Sequence, residues 1–323
     1  MTIDASLSRS GQNNQTGSDR ALFEKKMQTD ILRYFQSTNI AKELITNKTI
    51  ENGKSAAFPI IGNAAAVYHV AGTLIEGDNI AATEREITID DMLIAFAYVP
   101  DIDDAMVHYD ANSAYNESIG RALGKRYDQD AFRMIARAGN IVDAATALAA
   151  GLLVFADDVY STTVTFAVAG DELIGAKVYE KIVEAIAQWV QSDLVGEPVI
   201  VLQPSSYFAL LNNPANTGMT WANDEASQSG RVPMVLGKKV MTTPHLPQAD
   251  DSANTALNTK YRFNYLKTVG LVFSKESVAS LQLLALTMRS DYVPTRIATL
   301  IVGKMLVGFG TLNHSSSIVL KSF

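Results

Sequence analysis

Several residues in this chain have the right types for chemistry, and the first question is whether their spacing supports any. Gly53, Lys54 and Ser55 match the tail of a phosphate-binding loop. That loop needs a glycine five positions earlier to let the backbone cradle phosphates, and Lys48 stands there. The segment then runs into Phe58 and Pro59 instead of opening a helix. Asp101, Asp103 and Asp104 resemble the start of a calcium loop, but Met106 replaces the glycine that makes its sharp turn, and acids ahead of a helix are explained by capping. His69, His108, His245 and His314 are scattered and form no H-E-x-x-H spacing. No G-x-S-x-G elbow occurs. Glu84, Glu86, Asp90 and Asp91 are close in sequence, yet with Arg85 among them they read as a mixed polar face, solvated or meeting basic residues of a neighbour. With no cysteine, disulfides, thiolate metal sites and cysteine nucleophiles are excluded. No catalytic, cofactor-binding or metal-ligating residue emerges.

The elements that carry these residues are more telling. Over 101–139 the chain reads as one long helix. Tyr115, Ile119, Ala122 with Leu123, Tyr127, Ala131, Met134 with Ile135 and Ala138 recur at steps of three and four, one stripe of a 3.6-residue spiral. Glu117 precedes Arg121 by four, and Arg126 precedes Asp130 by four, which lends weak support across one turn. From 113 to 138 the helix would be about 39 Å long at 1.5 Å per residue, more than one small domain can cover.

Ahead of it, residues 1–19 are too polar to repay the entropy of ordering and are expected to be a floppy leader. Phe23, Met27, Ile31 and Tyr34 with Phe35 predict an amphipathic helix over 21–36, with a shorter one over 40–45. Residues 53–99 read as strand, turn, strand. On the return limb Ile87, Ile89, Leu93, Ala95, Ala97 and Val99 share one face, and Thr88, Asp90, Met92, Ile94, Phe96 and Tyr98 the other. Limbs of about 14 residues would project on the order of 45 Å. A lone ribbon of that length is marginal in water and exposes two edges, so its partners would lie on other chains. The pattern fits an ordinary hairpin within the chain's own sheet equally well.

Beyond the long helix, 141–150 reads as helix and 151–165 as a short strand or loop. Residues 177–194 read as a helix carrying Val178, Ile182, Ile186 and Trp189 on one stripe. The run 198–204 is a strand buried on both faces, followed by a helix that Ser205 caps. Residues 214–233 are a long polar loop of the functional or mobile kind. Strand is expected over 237–247, a polar insertion over 248–260, then mostly strands, with 297–309 open between helix and strand.

At 323 residues, 47% hydrophobic and 19% charged, this is a globular chain of two compact units or one elaborate one. Its net charge of −7 argues against wrapping nucleic acid by neutralising phosphates. There is no run of 18 apolar residues and no apolar secretion core at the start, so the chain reads as cytosolic when made and not as a membrane protein.

The blocks G-K-S-A-A-F-P-I-I-G (53–62), E-R-E-I-T-I-D-D-M-L (84–93) and D-I-D-D-A-M-V-H-Y-D (101–110), then the long helix, resemble the major capsid proteins of short-tailed bacteriophages. V-P-M-V-L-G-K-K-V-M-T-T-P-H-L-P (232–247) resembles that family's strand-to-loop segment near the capsomer centre. The resemblance implies an α+β chain with the tailed-phage major capsid fold. Residues 1–52 would be an N-terminal arm and 53–97 an extended β-hairpin loop. Residues 98–140 with 268–323 would form a peripheral domain around a spine helix, and 141–267 an axial domain. It implies a structural subunit, not an enzyme, that assembles as hexamers and pentamers into an icosahedral head around double-stranded DNA held non-specifically. A portal protein would be a partner, and a decoration protein is left open.

Two departures from the family refine this. No lysine lies between Lys54 and Lys125, so a covalent lysine–asparagine chainmail through the extended loop has no support. The arm leaves no obvious room for the long scaffolding segment some members carry, so a separate scaffolding protein is expected. The residues expected at inter-subunit contacts are Phe23 and Met27 in the arm, Phe58, Ile60, Tyr68 and Ile87 in the ribbon, and Arg121 and Arg126 on the spine helix. The chain would be made in the host cytoplasm and end in the virion. The alternatives are an encapsulin-like shell around cargo and, from another class, a soluble α+β enzyme whose site is assembled from distant residues.

Overall fold

The computed structural model describes residues 19–61, 82–100, 111–141, 163–192, 196–211 and 234–323, with the single positions 68, 69, 72, 74, 102 and 194. Five α-helices appear among them: α1 (Asp19–Thr38), α2 (Ala41–Leu44), α3 (Ala111–Ala138), α4 (Gly175–Gln191) and α5 (Pro204–Leu211). The strands are β1 (Thr46–Thr49), β2 (Ser55–Ile61), β3 (Ala82–Thr88), β4 (Leu93–Pro100), β5 (Thr163–Thr165), β6 (Val199–Leu202), β7 (Met234–Val235), β8 (Lys238–Thr242), β9 (Thr268–Phe273), β10 (Val278–Val293), β11 (Ala298–Thr311) and β12 (Ser317–Lys321). The chain divides into two compact units. One takes residues 1–38, 94–124 and 286–305, and the other 39–93, 125–285 and 306–323.

Three sheets hold the strands. A six-stranded sheet runs β5-β12-β9-β6-β8-β7, a four-stranded one β1-β10-β11-β4, and β2 and β3 pair alone. The six-stranded sheet carries the larger core. Val178, Ile182, Ala185, Ile186 and Trp189 of α4, spaced to share one side of the helix, are buried in one cluster with Ile200 and Leu202 of β6 and Val272 of β9. Strand β6 lies between β8 and β9 and is buried as its unbroken apolar run demands. Strand β9 is buried along its whole length and β12 over four of its five residues. Both therefore sit mid-sheet beside strands of 141–267, and the expected boundary at 268 does not separate two sheets. Helix α5 begins at Pro204 and not after Ser205, because proline's missing N–H costs nothing in a first turn.

Helix α3 forms as its periodicity requires, and it is covered unevenly. Ile119, Leu123, Tyr127, Ala131, Met134, Ile135 and Ala138 are buried, as are Phe132 and Ala136. Ala122 and Tyr115, counted on the stripe, are exposed. Towards its N-terminus Gly120 lets α1 pack closely: a Cβ there would stand 2.8 Å from the carbonyl oxygen of Ile31. Ile31 and Phe35 of α1 are accordingly buried on their own chain, which claims part of the expected arm. The later turns of α3 are covered by the supposed polar insertion. Arg133 donates to Asp251 at 3.1 Å, Arg137 to the carbonyl of Lys260, and Ser317 to the carbonyl of Ile135 at 3.0 Å.

The return limb differs from a single long strand. It breaks at Ile89 and Asp90, so that β3 stays with β2 in the ribbon while β4 joins β11 at an edge of the four-stranded sheet. Residues 298–309, open between helix and strand, are strand. The expectations for 1–18, for 142–162 and for the loop 214–233 lie outside the described residues.

Candidate assembly surfaces

The ribbon is an antiparallel pair in which Ser55 faces Thr88, Phe58 faces Arg85 and Ile61 faces Ala82. Alternation gives it two unlike faces. Ala57, Pro59, Glu84, Glu86 and Thr88 are exposed on one. On the other, Ile87 enters a cluster with Ile89, Ala279 and Leu281, and Ala56 and Phe58 pack against it. At its root the ribbon is tied to the rest of its unit. Arg85 Nη1 donates to the carbonyl oxygens of Leu312 at 2.6 Å and Thr311 at 3.1 Å. Hydrogen bonds from a charged donor contribute about 1.5–3 kcal/mol each. The amide of Ile89 donates to the carbonyl of Lys54 at 2.8 Å, and that of Asp90 to Val307 at 3.4 Å.

Asp90 itself turns inward. Its carboxylate lies 2.6 Å from Lys260 Nζ and accepts from the Tyr261 hydroxyl and from Asn258 Nδ2 at 3.1 Å. Burial pushes the Asp90 carboxyl up and the Lys260 ammonium down, and their attraction opposes both shifts. Beside this cluster a cleft of about 420 Å³ is lined by Lys54, Ile89, Asp91, Leu283 and Leu306.

A second polar node lies at the start of α2. The fully buried Asp128 of α3 accepts from the backbone amides of Ile40, at 3.1 Å, and Ala41, at 3.0 Å, and His245 Nδ1 donates to it at 3.2 Å. The carboxylate thus satisfies the unpaired N–H groups of a helix start from another helix. Nearby Tyr127 is pushed up to about 12, by burial first and then by the Asp128 charge.

The outer side of β4 is apolar and, among the described residues, exposed. Ile94, Phe96 and Tyr98 project from alternate positions, with Phe96 60% exposed and Arg296 4.5 Å from the Tyr98 ring centre. A row of large apolar groups on an edge strand marks a contact surface.

The expected contact residues fall unevenly. Tyr68 is completely exposed. Phe58 is half-buried, with the Lys48 ammonium 4.6 Å from its ring centre. Arg121 is 64% exposed and pairs with Glu117, and Arg126 is one-third exposed and bonded to Asp130 at 2.9 Å. Ile87 is only 2% exposed, since its own β11 covers it, so it offers no surface to a neighbour. The side chains of Phe23, Met27 and Ile60 lie outside the described residues. Arg85, expected on a mixed polar surface, instead binds β11, and Asp90 finds its basic partner within the chain. Asp128 carried no sequence signal, because its partners lie 87 and 117 residues away.

A family model described as Gp10A-like major capsid protein matches residues 57–321. The major capsid protein of Escherichia phage T7 is 26% identical over 318 residues, which cover 93% of this chain and 92% of that protein. That of Enterobacteria phage T3 is 24% identical over 320 residues, 94% of this chain and 92% of the other. Among solved structures, the capsid of Cyanophage P-SCSP1u superposes with a TM-score of 0.74 at 29% identity, over 88% of both chains.

Proposed function

This chain belongs to the Gp10A-like major capsid protein family, and we propose that its copies gather as hexamers and pentamers and close into an icosahedral head. The fold is that of tailed-phage capsids, and the chain is a major capsid protein and a component of the virion. The observation that carries this is the breadth of the match: relatives aligned over more than nine-tenths of both chains are themselves capsid proteins. A cargo compartment and a soluble enzyme are not favoured by those comparisons.

In the proposed shell, the arm (1–52), the extended loop (53–97), the peripheral domain (98–140 with most of 268–323) and the axial domain (141–267, joined by β9 and β12) divide the contacts. The ribbon beyond its root, the exposed face of α3 with Arg121 and Arg126, and the apolar row of β4 meet other copies. Tyr68, Phe58, Ile60, Phe23 and Met27 belong to the same set. Burial of apolar surface drives association, and each subunit's stability then depends on its neighbours. Two features support the ribbon's part in this: among the described residues β2 and β3 pair only with each other, and Ala57, Pro59, Glu84, Glu86 and Thr88 of their outward face are exposed. Assembly takes place in the host cytoplasm with a separate scaffolding protein and a portal protein, and the packaged DNA is held without sequence preference.

The test is to express the chain with and without its neighbouring phage genes and to examine the products by sedimentation and electron microscopy. Closed shells protecting DNA from nuclease are expected with the neighbouring genes. A species that stays monomeric or dimeric in every combination would refute the shell.

A further inference from the structure

The ribbon leaves the body of the subunit through residues 85–90, and over that short stretch its backbone is held from several sides. Arg85 reaches the carbonyls of Thr311 and Leu312, and Lys260 Nζ donates to the carbonyl of Thr88 at 3.1 Å. The amide of Asp90 bonds to Val307. Beneath, Gly308 carries no side chain, so the backbone of Thr88 and Ile89 lies directly against β11.

Arg85 differs from the other ties in what it joins. It projects from a ribbon that, among the described residues, has two strands alone, and its acceptors sit where β11 ends. Those acceptors are themselves anchored: the amides of Leu312 and Asn313 bond to Ser277 at the head of β10, at 2.9 and 3.3 Å. One guanidinium therefore links the ribbon to a β11–β10 junction that is already fixed. A single nitrogen, Nη1, addresses both carbonyls at once from a planar group of fixed orientation, whereas a lysine's ammonium turns freely on a shorter, flexible stem.

We infer that Arg85 is a positioning residue that sets the direction in which the ribbon leaves the subunit, so that every copy presents it to a neighbour at one angle. The inference rests on the shell reading. Leverage makes the angle matter. Measured from Thr88 at its base, the ribbon's seven paired residues span about 23 Å at 3.3 Å each, so a rotation of about 10° about that base moves the far end by about 4 Å. That exceeds what an inter-subunit hydrogen bond tolerates.

The test uses Arg85→Met, which keeps an unbranched apolar stem, and Arg85→Lys, which keeps the charge but not the planar guanidinium or its reach. Hydrogen exchange is measured on soluble subunits, and particles are imaged after expression of the full chain with the neighbouring phage genes. With Arg85→Met, exchange over 82–90 is expected to accelerate about ten- to hundredfold while α4 and β9 stay unchanged, and closed shells are expected to fall about tenfold in favour of irregular ones. Arg85→Lys should lie between. Closed shells of native diameter in native yield from Arg85→Met, or unaltered exchange over 82–90, overturn the inference. Should Arg85→Met be insoluble, native shell yield from Arg85→Lys overturns it. If the unaltered chain makes no shells, it is the shell reading that fails, and the exchange result alone decides whether Arg85 braces the ribbon.

Discussion

Substituting Gly308 by alanine tests the crossing of the ribbon root over β11 more sharply than any side-chain truncation. A Cβ at this position would stand 2.2 Å from the carbonyl oxygen of Thr88, 2.7 Å from Cα of Ile89 and 3.0 Å from the carbonyl carbon of Thr88. All three are main-chain atoms, so no rotamer change relieves the overlap. The segment is also pinned by the amide bonds of Ile89 to Lys54 and of Asp90 to Val307. Overpacking of this kind costs about 3 kcal/mol. The alanine recovers up to about 1 kcal/mol by restricting the unfolded chain, leaving a net loss of about 2 kcal/mol. In a thermal melt of the soluble subunit that corresponds to a Tm about 4–8 °C lower. Gly303→Ala is the internal control. Its Cβ would stand nearest the methyls of Ile119 and Leu123, both at 3.0 Å, which can turn aside, with the carbonyl oxygen of Ala95 at an ordinary 3.8 Å. A Gly308→Ala subunit that melts with the parent, or a Gly303→Ala subunit that melts lower still, refutes the reasoning.

Asp128→Asn should destabilise by about 2–3 kcal/mol in urea, because an amide cannot accept from two backbone N–H groups and a histidine as a carboxylate does; a midpoint shift no larger than that of His245→Ala would remove Asp128 as the centre of the node. Tyr127→Phe should flatten the alkaline limb of stability. A folded-state value of about 12 against about 10 unfolded means that this contribution is whole below pH 10 and drains away as pH rises towards 12. The loss is about 2–3 kcal/mol, and an unchanged slope between pH 10 and 12 in the variant would contradict it. Arg121→Glu faces Glu117 with a like charge and should cost the subunit only about 0.3–0.5 kcal/mol while reducing shell yield. Native yield from this variant would remove the exposed face of α3 from the set of contacts.

What the sequence made legible is what periodicity encodes. The spine helix over its described part, 111–138, the α4 stripe through Trp189, the buried run of β6 and the alternation on β4 are local patterns, and each forms where expected; residues 101 and 103–110 of the expected helix lie outside the described residues. The break at Ile89 and Asp90 was hidden, because alternation continues across it almost without fault. Partners far along the chain, Lys260 and Tyr261 at 170 and 171 residues' distance among them, show why the chain turns there. Ile87 misled for a related reason: an apolar residue on a ribbon face reads the same whether a neighbour or its own β11 covers it. Arg85 looked like one charge among acids, since its acceptors are main-chain carbonyls that no side-chain pattern announces. The polar segment 248–260 reads as an insertion, yet Asp251 and Lys260 bond to Arg133 and Arg137 of the helix.

The cover on the later turns of α3 also has a temporal meaning. Ile135 leaves the ribosome long before Ser317, whose hydroxyl caps its carbonyl, and β1 emerges well ahead of β10, its parallel partner. At about 5–20 residues per second, the 182 residues between Ile135 and Ser317 take on the order of 10–35 s to synthesise. Until the end of that interval the last turns of the helix lack the part of their native cover that β12 supplies, while neighbouring ribosomes on the same message hold identical unfinished chains. Completion of the fold is therefore tied to completion of translation, and a chain that stalls before β12 leaves the carbonyl end of α3 without its last partner.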